Sequence, residues 1–218
     1  MKIAVRFGHQ KTGADGAAPG EYEIIRQYGP YVINGLKSLG HEVLDVTPPE
    51  NNRSLADSLN YSISKSNSWG TDLFISLHGN SFNGSAMGCE VIYYPSSAKG
   101  KNLAINICSE ISKLGFKNRG AKADTRGLAE LNNTKMTAVI VEPLFVDNAH
   151  DKALFNAKNV GYAIVKGITG QNIQTKDNDS ISSKVYRVQL GAFTNRSYAE
   201  ALLKELKSKG YEAYVKEE

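Results

Sequence analysis

The sequence has little that would staple it, anchor it or mark it at a glance. Two cysteines, Cys89 and Cys108, occur in 218 residues. That count excludes a disulfide framework and a Cys-rich metal site. No apolar run approaches the roughly 18 residues of a membrane helix, so membrane insertion is not expected. Met1–Phe7 is too short for a signal peptide and no small-residue cleavage site follows it. The expectation is synthesis in the cytoplasm without a Sec-type exit signal. Neither sign of charge dominates, with 26 basic and 22 acidic residues and a net charge of +4. That balance gives no ground for a nucleic-acid partner. Several compact motifs are missing too: Gly-x-Gly-x-x-Gly, a Walker loop, a Gly-x-Ser-x-Gly elbow and His-Glu-x-x-His.

What is present is an ordinary globular composition, 41% hydrophobic and 22% charged. The length suits one good-sized domain, or one domain with a small appendage. Lys2–Gly8 reads as a first strand, and Glu21–Leu39 has apolar residues at helical spacing, with Pro30 expected to disturb one turn. His41–Thr47 reads as a strand, Leu55–Ser66 as a helix, and Asp72–His78 and Cys89–Tyr94 as strands. Ala98–Leu114 is helical in pattern. Ala138–Val141 is a short apolar strand, and Lys152–Ile168 reads as one helix. The alternation predicts an α/β fold, a three-layer sandwich with a mostly parallel twisted sheet flanked by helices. Catalytic residues are expected in 1–169, and the polar stretch 170–183 reads as a linker. Residues 184–218 carry a βαβ pattern: strands over Val185–Phe193 and Tyr211–Val215 around a helix over Ser197–Lys209. A unit of about 35 residues is too small to bury a core alone. It must dock on the main domain, pair with a second copy to give a homodimer, or be marginal.

In open α/β sheets the ligand crevice lies beyond the carboxyl ends of the strands. His9, His78 and Glu142 follow three such ends, and Glu21 opens the first long helix. Two imidazoles and two carboxylates are thus predicted on one rim. Two His and one carboxylate are a catalytic zinc set with a fourth position open, and a separate carboxylate serves as general base. Each residue also has a plainer reading: a satisfied polar group at a strand end, or a first-turn acid favoured by the helix dipole. Glu23 rivals Glu21 but points to another face of the helix. His41 and His150 read as surface residues. Cys89 and Cys108 read as small buried hydrophobes.

The blocks Gly8-His9, Glu21, Ser76-Leu77-His78-Gly79-Asn80, Arg119-Gly120 and Val141-Glu142-Pro143-Leu144-Phe145-Val146-Asp147-Asn148 resemble the zinc-dependent N-acetylmuramoyl-L-alanine amidases of the Amidase_3 type. The blocks span about residues 1–168 in order. The resemblance implies Zn2+ held by His9, Glu21 and His78, with Glu142 as the catalytic carboxylate and Asn80 orienting substrate. The bond cut would join the muramic lactyl group to L-alanine in bacterial peptidoglycan. Gln10, Gly79 and Pro143-Leu144 depart from the commoner family pattern and resemble the branch found in phage endolysins. Tyr186-Arg187-Val188-Gln189-Leu190-Gly191-Ala192-Phe193, with Asn195 and Ala199, resembles half of a SPOR-type peptidoglycan-binding repeat. A phage or prophage endolysin released through a membrane hole is the implied biology. A mother-cell sporulation autolysin is the alternative. A zinc exopeptidase and a non-catalytic wall-binding protein are readings from other classes.

Overall fold

The structure, a computed structural model, describes residues 1–11, 16–50, 53–173, 191–210 and 214–215. It divides into two compact units, Met1–Gln174 and Thr175–Glu218. In the first unit the chain runs β1 (Lys2–Phe7), α1 (Glu21–Ser38), β2 (Glu42–Asp45), α2 (Leu55–Trp69), β3 (Leu73–Leu77) and β4 (Cys89–Tyr93). It continues through α3 (Ala98–Ser112), β5 (Asn118–Ala123), α4 (Ala129–Asn132), β6 (Thr137–Glu142), α5 (Ala149–Leu154) and α6 (Ala157–Thr169). The six strands form one sheet in the order β2-β1-β3-β6-β4-β5. All pairings are parallel except β4 with β6, which is antiparallel.

The period of two along each strand sorts the residues onto two unlike faces. Odd-numbered positions such as Ile3, Val5, Ile75, Leu77, Val139 and Val141 enter the main core, with Ile25 and Val32 of α1, Ile107 and Ile111 of α3 and Ile164 of α6. Each such side chain contributes roughly 1.5–3 kcal/mol by leaving water. Even-numbered positions face α2 and α4. That face holds a smaller apolar cluster of Ala4, Val46, Phe74, Ile92, Leu131, Ala138 and Ile140. Towards the carboxyl ends of β1 and β3 it turns polar. The register pairs Arg6 with Ser76 and Ser76 with Ile140, so Arg6 and Ser76 lie on this second face. α2 meets it with serines: Ser58, Ser62 and Ser66 are fully buried.

Three features differ from the sequence expectation. Pro30 stands inside an unbroken α1, on its exposed side. Lys152–Ile168 is not one helix. It is broken at Phe155-Asn156, where the Asn156 side chain accepts the Asn159 N–H and starts α6 afresh. Finally, β5 and α4 fall in a stretch that the hydrophobic pattern left unassigned.

In the second unit, α7 (Arg196–Ser208) begins at Asn195, whose side chain accepts the Ser197 N–H. Its apolar stripe, Ala199, Leu202, Leu203 and Leu206, is half-buried. Both strands expected around it lie mainly outside the described residues. The described parts, 191–193 and 214–215, are not strand. No helix of the described residues is long and apolar enough to cross a membrane.

Candidate metal centre

β1 and β3 are parallel neighbours, so their carboxyl ends deliver His9 and His78 side by side. The approach depends on Gly8. A Cβ at that position would stand 2.5 Å from Cε1 of the His78 ring. His9 itself adopts φ 60°, the left-handed region, and is the one non-glycine residue to do so among those described. Such backbone costs of order 1–3 kcal/mol and persists only when its surroundings enforce it. Arg26 of α1 supplies that enforcement. Its Nη1 donates to the Gly8 carbonyl at 2.5 Å and its Nη2 to the His9 carbonyl at 2.7 Å. The guanidinium also lies over the Tyr22 ring, 3.8 Å from its centroid, and Nη2 reaches Glu50 at 3.3 Å.

Glu21 is the first residue of α1 and is 5% exposed. Its Oε2 accepts the Ala18 N–H at 3.0 Å, and its Oε1 accepts the Gly79 N–H at 3.1 Å. The same Oε1 lies 2.9 Å from His9 Nε2 and 3.3 Å from His78 Nδ1. The two imidazole nitrogens are 3.1 Å apart. Burial alone would raise the Glu21 carboxyl. The hydrogen bonds to His78 and His9 outweigh it and hold the group well below the usual carboxylate range. Glu23, the rival on the same helix, is exposed.

These three donor atoms lie 2.9, 3.1 and 3.3 Å from one another, close to the spacing of ligands around a small metal ion. Tetrahedral ligands at about 2.0–2.1 Å from the ion stand about 3.3 Å from one another. Two imidazole nitrogens and a carboxylate oxygen converging at that distance suit a divalent cation, and the fourth side is left to water or substrate. Among the described residues, His9, Glu21 and His78 are the one group of three or more such side chains that could hold a metal ion.

Glu142 is the last residue of β6, on the same face as His78. Its Oε2 is enclosed and has no hydrogen-bond partner among the described residues. Burial pushes its carboxyl up to about 7. His78 opposes the rise, and Glu21 and Glu90 add to it. A carboxyl at that value holds and releases a proton near neutrality, as a general acid–base requires.

Asn80, expected to orient substrate, faces the protein. Its Nδ2 donates to Glu90 at 2.9 Å and its Oδ1 accepts the Ser81 N–H. Its backbone pairs with Leu144 and Val146. Two of the departures from the commoner family pattern, Gln10 and Gly79, have physical reasons. Gln10 is buried and ties two loops, donating to Pro49 O and accepting the Arg53 N–H. A Cβ at Gly79 would meet Val146 Cγ1 at 2.8 Å. His150 is exposed at the start of α5, and Cys89 and Cys108 are buried free thiols. His41 is half-buried beside the amino terminus, not a free surface residue.

Residue-by-residue reading missed Arg26, Tyr28, Glu90 and Glu130. Tyr28 lies in the core and its hydroxyl donates to the His78 carbonyl at 2.7 Å. Arg26 and Tyr28 sit in the helix that Glu21 opens, so their helical spacing was the available signal. Glu90 and Glu130 gave none.

The comparisons with known proteins bear on the family and the fold. The model of the N-acetylmuramoyl-L-alanine amidase family (Amidase_3) matches residues 3–170, and that of the SPOR domain matches residues 182–218. An uncharacterized 38.4 kDa protein of Clostridium perfringens is 36% identical over 205 residues, which cover 89% of this chain and 57% of that protein. The N-acetylmuramoyl-L-alanine amidase CwlM of Bacillus licheniformis is 29% identical over 219 residues, covering 99% of this chain and 84% of that one. The structure of the catalytic domain of CD27L endolysin, targeting Clostridia difficile, superposes with a TM-score of 0.72 at 35% identity. That match covers 79% of this chain and 99% of that domain. The chain thus spans from just over half to most of the length of such relatives. With a family match over most of its residues, the chain belongs to the N-acetylmuramoyl-L-alanine amidase family.

Proposed function

We propose that the chain is a zinc-dependent peptidoglycan hydrolase. It cuts the amide between the lactyl group of N-acetylmuramic acid and L-alanine. The observation that carries this reading is the convergence of His9 Nε2, Glu21 Oε1 and His78 Nδ1 within 3.3 Å of one another. A carboxyl with a raised pKa, Glu142, stands beside them on the same rim.

His9, Glu21 and His78 would hold the zinc. When bound there, it supplies Lewis acidity that polarises a carbonyl and acidifies a water molecule. Glu142 takes one proton from the attacking water as the new C–O bond forms. It returns that proton to the alanine nitrogen as the C–N bond breaks, so the amine leaves neutral. Burial of the Glu142 carboxyl, which raises its pKa to about 7, is what suits it to carry that proton. Arg26 and Tyr28 keep the two imidazoles in place through backbone carbonyls, so the ligands need no reorganisation during the reaction.

Residues 182–218, the SPOR match, serve in this reading to bring the enzyme to the wall. The half-buried apolar stripe of α7 is the surface through which two such units would pair. A phage lytic role is favoured over a sporulation role by the likeness to an endolysin catalytic domain.

Digestion of purified peptidoglycan tests the bond assignment. The expected products carry new L-alanine amino termini, with no increase in reducing sugar ends. New reducing ends, or amino termini other than L-alanine, contradict it.

A further inference from the structure

Beneath the rim, on the α2 side of the sheet, lies a buried polar cluster that the proposed reaction does not use. Arg6 is 1% exposed and Glu130 is 3% exposed. Glu130 Oε1 accepts from Arg6 Nη1 at 3.1 Å and from Ser76 Oγ at 3.1 Å. Arg6 Nη2 donates to Ser58 Oγ at 2.9 Å. Charges this deep are costly unless paired, and here the cation and a hydroxyl converge on a single oxygen. The second oxygen is left for another task. Glu130 Oε2 lies 4.0 Å from His78 Nε2. That nitrogen is buried and has no hydrogen-bond partner among the described residues.

The two nitrogens of His78 therefore have separate surroundings. Nδ1 faces His9 and Glu21, and Nε2 faces Glu130. An imidazole that ligates a metal through Nδ1 keeps its proton on Nε2, and that N–H needs an acceptor. We propose that Glu130 is the positioning residue of the metal centre: it accepts the Nε2–H of His78, with Arg6 and Ser76 fixing its carboxylate. The contact selects the tautomer that presents Nδ1 to the metal and sets the plane of the ring. At 4.0 Å the two atoms are beyond direct reach, a gap that a small ring rotation closes. The inference rests on reading His9, Glu21 and His78 as metal ligands. It adds a carboxylate from α4, an element with no role in that reading.

The test is zinc affinity of the folded, metal-free protein, measured by competition with a chromogenic chelator. Glu130→Gln keeps the shape of the side chain. Its oxygen is claimed by Arg6, so it turns an amide N–H towards His78, donor against donor. Zinc binding is expected to weaken by about 10–100-fold. Ser58→Ala loosens the same cluster at the far side of Arg6, and it is expected to lower the melting temperature while leaving zinc affinity within about threefold. Glu130→Gln binding zinc no more weakly than Ser58→Ala overturns the proposal.

A measurement on the wild type covers the case in which Glu130→Gln does not fold. Nitrogen-15 spectra of the zinc-loaded protein should show His78 ligating through Nδ1, with its Nε2–H protected from exchange. Ligation through Nε2, or an Nε2–H in free exchange with water, overturns the proposal. Wild type that takes up no zinc overturns both this inference and the metal reading beneath it. Zinc-binding wild type with an indifferent Glu130→Gln overturns this inference alone.

Discussion

Glu90 and Glu142 stand directly opposite each other across the antiparallel pairing of β4 and β6. They are not equivalent. Glu90 is held by Arg119 Nε at 2.7 Å and Asn80 Nδ2 at 2.9 Å, whereas Glu142 Oε2 has no such bond among the described residues. One carboxylate is thus fixed and compensated, and the other is not.

The first prediction concerns pH. Glu142 must be ionised to act as a base, so activity rises with pH through its pKa. Burial places that value at about 7, with His78 opposing and Glu21 and Glu90 contributing. A dication at the centre favours the carboxylate and brings the acid limb of the loaded enzyme below that figure. Removing the like charge in Glu90→Gln should lower the limb of the kcat/KM profile by about 0.3–1 pH unit. Arg119→Gln, which uncovers the charge of Glu90, should raise it. Two profiles superimposed on the wild type would show that another group titrates.

Glu142→Gln should reduce turnover at least 100-fold, the low end of what a positioned general acid–base contributes, while wall binding persists. Stability gives an independent readout. A carboxyl whose pKa is raised on folding binds a proton in the native state that the unfolded chain has released. Metal-free wild type therefore loses stability as pH rises from about 4.5 to about 7. The variant lacks that loss and should gain on the wild type by about 1–3 kcal/mol between pH 5 and pH 8. Denaturant unfolding at the two pH values measures it.

Gly8→Ala places a methyl group 2.5 Å from the His78 ring, closer than real carbon contacts allow. The ring or the end of β1 must move. A loss of about 1–3 kcal/mol in stability is expected, with weaker zinc binding. Retention of wild-type zinc affinity would show that the two imidazoles do not need this close approach.

Arg26→Ala releases the two carbonyls that hold His9 in its left-handed conformation. The turn is then free to relax, and zinc affinity should fall by about 10-fold. Arg26→Lys should recover little of it, because a lysine cannot bridge both carbonyls with a planar fork. Full recovery by lysine would mean that charge, not geometry, is what the turn requires.

Much of the fold was legible because the apolar runs of β1, β3 and β6 are buried on both sides and stand out against their polar neighbours. β5 was not. Its residues Asn-Arg-Gly-Ala-Lys-Ala carry no large apolar side chain, and as an edge strand it needs none. The break before α6 is made by one asparagine cap within a continuous apolar pattern, which periodicity does not register. The convergence at the rim followed from strand ends and a family resemblance. Its supports did not. Arg6 and Glu130 are 124 positions apart, and a buried ion pair leaves no local trace in a single sequence. The direction of Asn80 was equally hidden, since its partner Glu90 comes from a different strand.

The most direct test of the central claim is metal content, read together with clearing of purified wall, for the wild type and for His78→Ala. The account predicts about one zinc per chain in the wild type, lost together with clearing in the variant and on treatment with a chelator. A wild type that holds no metal and clears walls unaffected by chelator would contradict it.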